Sequence, residues 1–86
     1  MIFLYEIIFS IKAKKQLIKL ERNTQERIIS ALEKIRIRPE TFVTKLIGDQ
    51  GYKLRVGDYR VIMDIEKNSL IILVIKVGHR KNIYNI

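Results

Sequence analysis

The sequence predicts an α+β domain: a mainly antiparallel sheet with a helical hairpin packed on one face, in the order β-α-α-β-β-β. Three observations carry that expectation. β-Branched and aromatic runs open and close the chain. Two stretches of helical period lie between them. A Gly57-Asp58 pair divides two alternating segments, as a tight hairpin requires. Residues 1–86 read as one domain, with a single core supplied by an apolar fraction of 48%.

Residues 2–9 carry the first strand signal. Ser10 is placed to cap a helix from Ile11 to Glu21, with Ala13, Leu17 and Leu20 on one stripe and Lys12, Lys14, Lys15 and Lys19 mostly outside it. Asn23-Thr24-Gln25-Glu26 resembles a capping box and predicts a second helix, with Ile28, Ala31, Leu32 and Ile35 as its apolar face. Pro39 is expected to end that helix near Arg38. Residues 40–51 form a connector, extended at Lys45-Leu46-Ile47 and turning at 48–51. Strands follow at 52–56, 59–66 and 70–77. The last is almost continuously apolar, as a central strand covered on both faces would be. A three-residue loop at Lys67-Asn68-Ser69 would set Lys76 opposite Arg60 and a two-residue loop would not; the first register is preferred. Strand order is not readable.

Seventeen Lys and Arg against nine Asp and Glu give a formal charge of +8, spread along the chain. The surplus predicts a polyanionic partner, with nucleic acid ahead of an acidic protein or a membrane surface. Cysteine is absent and His79 is the one histidine. Disulfides, thiol nucleophiles and Cys-ligated zinc are thereby excluded, and no metal or cofactor is expected. Glu6 interrupts the apolar opening, which lacks the pattern of a signal peptide. No run approaches the roughly 18 apolar residues of a membrane span, so a cytoplasmic location is expected.

The stretch Tyr52 to Arg60 is the most informative. A two-residue turn sets Val56 opposite Tyr59, Arg55 opposite Arg60 and Lys53 opposite Ile62. Opposed residues share a face. Lys53, Arg55 and Arg60 therefore lie on one side, while Tyr52, Leu54, Val56, Tyr59, Val61, Met63 and Ile65 lie on the other. Like charges facing each other destabilise a sheet, and such a face is kept where it meets an anion. Asp64 and Glu66 alternate onto the same face toward its far end.

Taken together, these residues resemble the RelE/ParE toxin family of prokaryotic type II toxin–antitoxin systems. The resemblance spans the whole chain. It rests on the Lys-rich first helix, the second helix closed by Pro39, Leu46-Ile47-Gly48, Leu54-Arg55-Val56-Gly57-Asp58-Tyr59-Arg60, and Val77-Gly78-His79-Arg80 followed by Tyr84. It implies a RelE-like fold related to small microbial ribonucleases. It also implies a toxin that cuts mRNA in the ribosomal A site, through attack of a 2′-hydroxyl on the neighbouring phosphate. The implied partners are mRNA on the ribosome, rRNA and a RelB-like antitoxin, which can join the toxin in a heterotetramer. Two other functions stay open: inhibition of DNA gyrase, as in ParE branches, and a catalytically silent antitoxin-binding domain.

By that resemblance Lys53, Arg60, Arg80, His79 and Tyr84 are the catalytic candidates, and Arg55, Lys76 and Lys81 contact RNA. Lys53 would act as base and Arg60 would hold the charge growing on phosphorus, since guanidinium grips phosphate oxygens in pairs. Arg80 would aid the phosphate or the leaving oxygen, and His79 would donate a proton. Tyr84 would orient or deprotonate the 2′-hydroxyl, or stack on a base. The best-characterised ribosome-cleaving member has a second lysine two positions before the Lys53 position, where this chain has Gly51. Each candidate also has a plain reading: Lys53 and Arg55 as solvated strand residues, His79 as a turn residue, Tyr84 as a tail anchor.

Overall fold

The computed structural model describes residues 3–48 and 50–83. Its elements are β1 (Glu6–Phe9), α1 (Ile11–Ile18), α2 (Arg22–Lys34), α3 (Pro39–Phe42), β2 (Thr44–Lys45), β3 (Tyr52–Val56), β4 (Tyr59–Glu66) and β5 (Ile71–His79). They build one five-stranded sheet in the order β1-β5-β4-β3-β2. Only β1 and β5 run parallel; the other pairs are antiparallel. The α+β expectation holds.

One face of the sheet lies under α1 and α2. Ala13 and Leu17 from α1, then Ile28, Leu32 and Ile35, pack against Leu54, Val61, Met63, Ile72, Val74 and Val77, all buried. Neither helix is long enough to persist in isolation, so this shared apolar contact holds both in place. Ile62, on the outer face, and Ile83, in the tail, are also buried but stand outside that cluster.

Local polar chemistry sets the junctions. The Ser10 hydroxyl accepts from the Ala13 amide at 3.0 Å and donates to the Ile75 carbonyl at 3.0 Å. The Val77 amide donates to Gln16 Oε1 at 2.8 Å. Strand β1 stops at Phe9, opposite Val74. From there, α1 side chains satisfy backbone groups of β5 that have no strand beside them.

Several expected boundaries need correction. Pairing of the first strand starts at Glu6, because the Tyr5 amide donates instead to the Arg36 carbonyl (2.9 Å). Helix α1 ends at Ile18 rather than Glu21. Asn23 does not cap the second helix; within that stretch the Gln25 side-chain amide donates to the Leu20 carbonyl (2.8 Å) and binds the inter-helix turn. Helix α2 begins at Arg22 and closes at Lys34, before Arg38. Pro39 does not end it; it opens α3 as the first helical residue, where its missing N–H and fixed φ are tolerated. In the connector, the extended residues are Thr44 and Lys45, paired with Lys53 and Tyr52.

The second hairpin also differs. Its loop has four residues, 67–70, because Glu66 pairs with Ile71. Leu70 takes the left-handed conformation, at φ 55°. That loop alone would turn Lys76 toward the helices. A register shift at Ile62/Met63 restores its side, pairing Lys76 with Ile62 and Gly78 with Arg60. The expected Lys76–Arg60 pairing is thus corrected, while the lysine keeps its face.

Candidate nucleic-acid interface

The β3–β4 register matches the parity argument, with Arg55 opposite Arg60 and Lys53 opposite Ile62. Two rows therefore cross the outer face. One is Arg55, Arg60 and Gly78; the other is Thr44, Lys53, Ile62 and Lys76. At about 4.8 Å between strands and about 3.3 Å per residue, four cations occupy roughly 10 by 7 Å. None of the four joins an ion pair among the described residues. Two like charges about 6 Å apart repel by only about 0.7 kcal/mol in water, which the fold can carry. The same charges act together on an anion.

Arg60 is half-buried, and its Nη1 donates to the carbonyls of Gly57 (3.0 Å) and Tyr59 (2.8 Å). One guanidinium nitrogen is thus tied to the hairpin tip. Nε and Nη2 have no partner among the described residues. Gly57 takes φ +59°, the conformation that made glycine the expected residue there. Arg80 is drawn to the same tip. Its amide donates to the Asp58 carbonyl (2.8 Å), and its Nε lies 3.9 Å from Asp58 Oδ1.

His79 is placed differently from the expectation. It pairs with Tyr59, on the face turned toward the helices, and meets that ring edge-on at 5.5 Å between centroids. Its Nδ1 accepts from the Lys81 amide at 3.2 Å. The imidazole therefore shapes the start of the tail and stands across the sheet from Lys53 and Arg60. Lys81 is exposed in that tail. Tyr84 lies outside the described residues.

Gly51 has φ +107°, and a Cβ there would sit 3.0 Å from the Met63 carbonyl and 3.3 Å from Asp64 Oδ1. A lysine at this place would meet backbone and strain, so its absence belongs to the local geometry. Sequence reasoning missed Arg27 of α2. A Cβ on Gly57 would lie 2.6 Å from Arg27 Nη2, so this third arginine also reaches the tip. The one signal available was the glycine itself. Among the described residues no group of three His, Cys, Asp or Glu is disposed to hold a metal ion, and no helix is long and apolar enough to cross a membrane.

Solved structures share this architecture. In the RelBE2 toxin–antitoxin complex of Mycobacterium tuberculosis, a chain 21% identical aligns over 90% of this sequence and 92% of its own, with a TM-score of 0.82. That likeness establishes the fold. A chain of the intact Escherichia coli RelBE toxin–antitoxin complex is 29% identical, covering 87% of this sequence and 95% of its own, with a TM-score of 0.74. In the archaeal RelE–RelB complex of Pyrococcus horikoshii the values are 25%, 91%, 97% and 0.73. None of the curated proteins compared matches the sequence. Over residues 7–84, however, the chain matches the family described as ParE toxin of type II toxin-antitoxin system, parDE. With that match over most of its length and a RelE fold beneath it, the chain belongs to the RelE/ParE family and is a toxin of the type II toxin–antitoxin class.

Proposed function

We propose that this toxin is an endoribonuclease acting on mRNA in the ribosomal A site. The observation that carries the reading is the pair of cationic rows on the outer face, without acid partners among the described residues and bordered by Arg80 at the hairpin tip. In the proposed reaction, Lys53 takes the proton of a 2′-hydroxyl. The oxygen attacks the adjacent phosphorus, the P–O5′ bond breaks as a 2′,3′-cyclic phosphate forms, and the departing 5′-oxygen takes a proton from water. Arg60 holds the added negative charge through the guanidinium edge that is free of the turn carbonyls. Arg80 serves the phosphate on the leaving side, and Tyr84 orients the 2′-hydroxyl. Arg55, Lys76 and Lys81 hold the backbone of the message or of rRNA. His79, which packs on Tyr59, supports the tail.

A RelB-like antitoxin is the proposed protein partner, since the similar RelE chains are solved in complexes with RelB. Carboxylates brought to the cationic face would neutralise it. A second reading, inhibition of DNA gyrase, is favoured by the ParE description of the matching family. Cell-free translation followed by primer extension separates the two. Codon-phased breaks that require ribosomes are expected. Intact message together with blocked supercoiling would overturn the nuclease reading in favour of gyrase. Intact message with normal supercoiling would leave an antitoxin-binding domain.

A further inference from the structure

Three arginines from three elements converge on the Gly57-Asp58 turn. Arg60 comes from β4, with Nη1 3.0 Å from the Gly57 carbonyl oxygen. Arg80 follows β5 and reaches Asp58. Arg27 comes from α2, on the other side of the sheet. Its guanidinium occupies the space above Gly57 that any side chain would take, 2.6 Å from an ideal Cβ at Nη2 and 3.4 Å at Cζ. Arg22, the other arginine of α2, pairs with Glu26, and Arg36 just past the helix pairs with Glu33. Arg27 joins no ion pair among the described residues. It turns instead toward a tip that already holds two guanidinium groups. Asp58 supplies one negative charge against three positive ones there, and the Arg80–Asp58 contact is long and exposed. The convergence is unfavourable until an anion enters it.

Beside Arg27 lies an open groove of about 620 Å³ between α2 and Val56, also lined by Asn23, Ser30 and Lys34, with Glu26 as its acid. Its size is within the range of clefts that hold a small-molecule-sized group. We propose that Arg27 is a phosphodiester-binding residue and that the cationic surface continues over the hairpin tip into this groove. A single RNA strand lying on the outer face would then turn past Arg60 and Arg80, placing a flanking phosphate at Arg27. Gly57 is the hinge of the arrangement: it supplies the positive φ of the turn and leaves open the space that Arg27 fills.

This inference rests on the nuclease reading, and the test separates the two. Free toxin is titrated with non-cleavable 2′-O-methyl oligoribonucleotides, a trinucleotide and a dodecamer, by fluorescence anisotropy at about 50 mM salt. Arg27→Gln should weaken the dodecamer about tenfold, as expected for one charged hydrogen-bonded contact, and leave the trinucleotide unchanged. It should also lower the salt slope for the dodecamer by about 0.7, one phosphate on a single strand. Arg60→Ala should weaken both probes. Arg27→Lys should restore the salt slope and only part of the affinity, since it keeps the charge but loses the fork. Unchanged dodecamer binding by Arg27→Gln, with RNA binding intact in the parent, overturns this inference alone. No RNA binding by the parent overturns the nuclease reading as well. Loss of antitoxin binding with RNA binding intact assigns the groove to the protein partner and overturns the proposal.

Discussion

The two ends of the outer sheet face carry opposite charge, the cations on β3, β4 and β5 and the acids on β4 and the edge strand β1. Toward the Gly57-Asp58 tip stand Arg55, Arg60, Lys53 and Lys76. Toward the other end, Asp64 faces Leu73, and Glu66, Ile71 and Glu6 form a row. Both ends have the same backbone and neighbouring side chains of one sign. Among the described residues the cations are unpaired in both rows, so the difference between the ends is not one of satisfying the fold. It polarises the face, with attraction for a polyanion at the tip and repulsion about two rows or roughly 13 Å away, within a Debye length only at low salt.

The largest expected effect comes from emptying the attractive end. Arg60→Ala should lower ribosome-dependent cleavage by about 10²–10³-fold, the scale seen when one charge-stabilising donor is removed. Its thermal midpoint should stay near the parent's, because water can take over the turn carbonyls. A large fall in the midpoint would show that Arg60 holds the hairpin instead. Next comes an attempt to extend the attractive end toward the acids. Gly51→Lys should destabilise the domain by about 1–3 kcal/mol in urea unfolding, without raising cleavage, since φ +107° and the Met63 carbonyl exclude a side chain. Higher cleavage at unchanged stability would break the account of that glycine. The smallest effect is expected from relieving the repulsion. Asp64→Asn with Glu66→Gln should tighten single-stranded RNA binding about threefold at low salt, and the gain should vanish at about 1 M, where the Debye length is near 3 Å. Unaltered affinity at low salt would mean that the acidic end lies off the path of the strand.

How much of this could be read in advance depended on local geometry. The first hairpin was legible because a two-residue turn fixes parity: once Gly57-Asp58 is identified, the partner of Arg55 follows. The second hairpin was not. Leu70 in a left-handed conformation carries no composition signal, and the run from Leu70 to Val77 is too uniformly apolar to reveal a one-residue slip at Ile62/Met63. Helix ends failed where one side chain had two possible uses. Asn23 to Glu26 had the spacing of a capping box, but α2 already begins at Arg22 and Gln25 binds the Leu20 carbonyl. In the candidate site, Lys53, Arg55, Arg60 and Lys76 gathered as expected and Arg80 reached the tip, because strand alternation and a short connection place them. His79 did not, since one residue of alternation separates it from Gly78 and turns it to Tyr59. Arg27 was invisible because its contact crosses between elements that no local pattern joins.

The parallel ladder between the first and last strands has a consequence for biosynthesis. Glu6 through Phe9 find their neighbours only in residues 71–74, and Ser10 reaches its second partner at Ile75, 65 positions downstream. A nascent chain emerging from the exit tunnel cannot seat residues 6–9 until residues 71–74 have followed them out. Closure of the sheet at its first strand therefore waits on residues 71–74, after every segment between the two strands has been made.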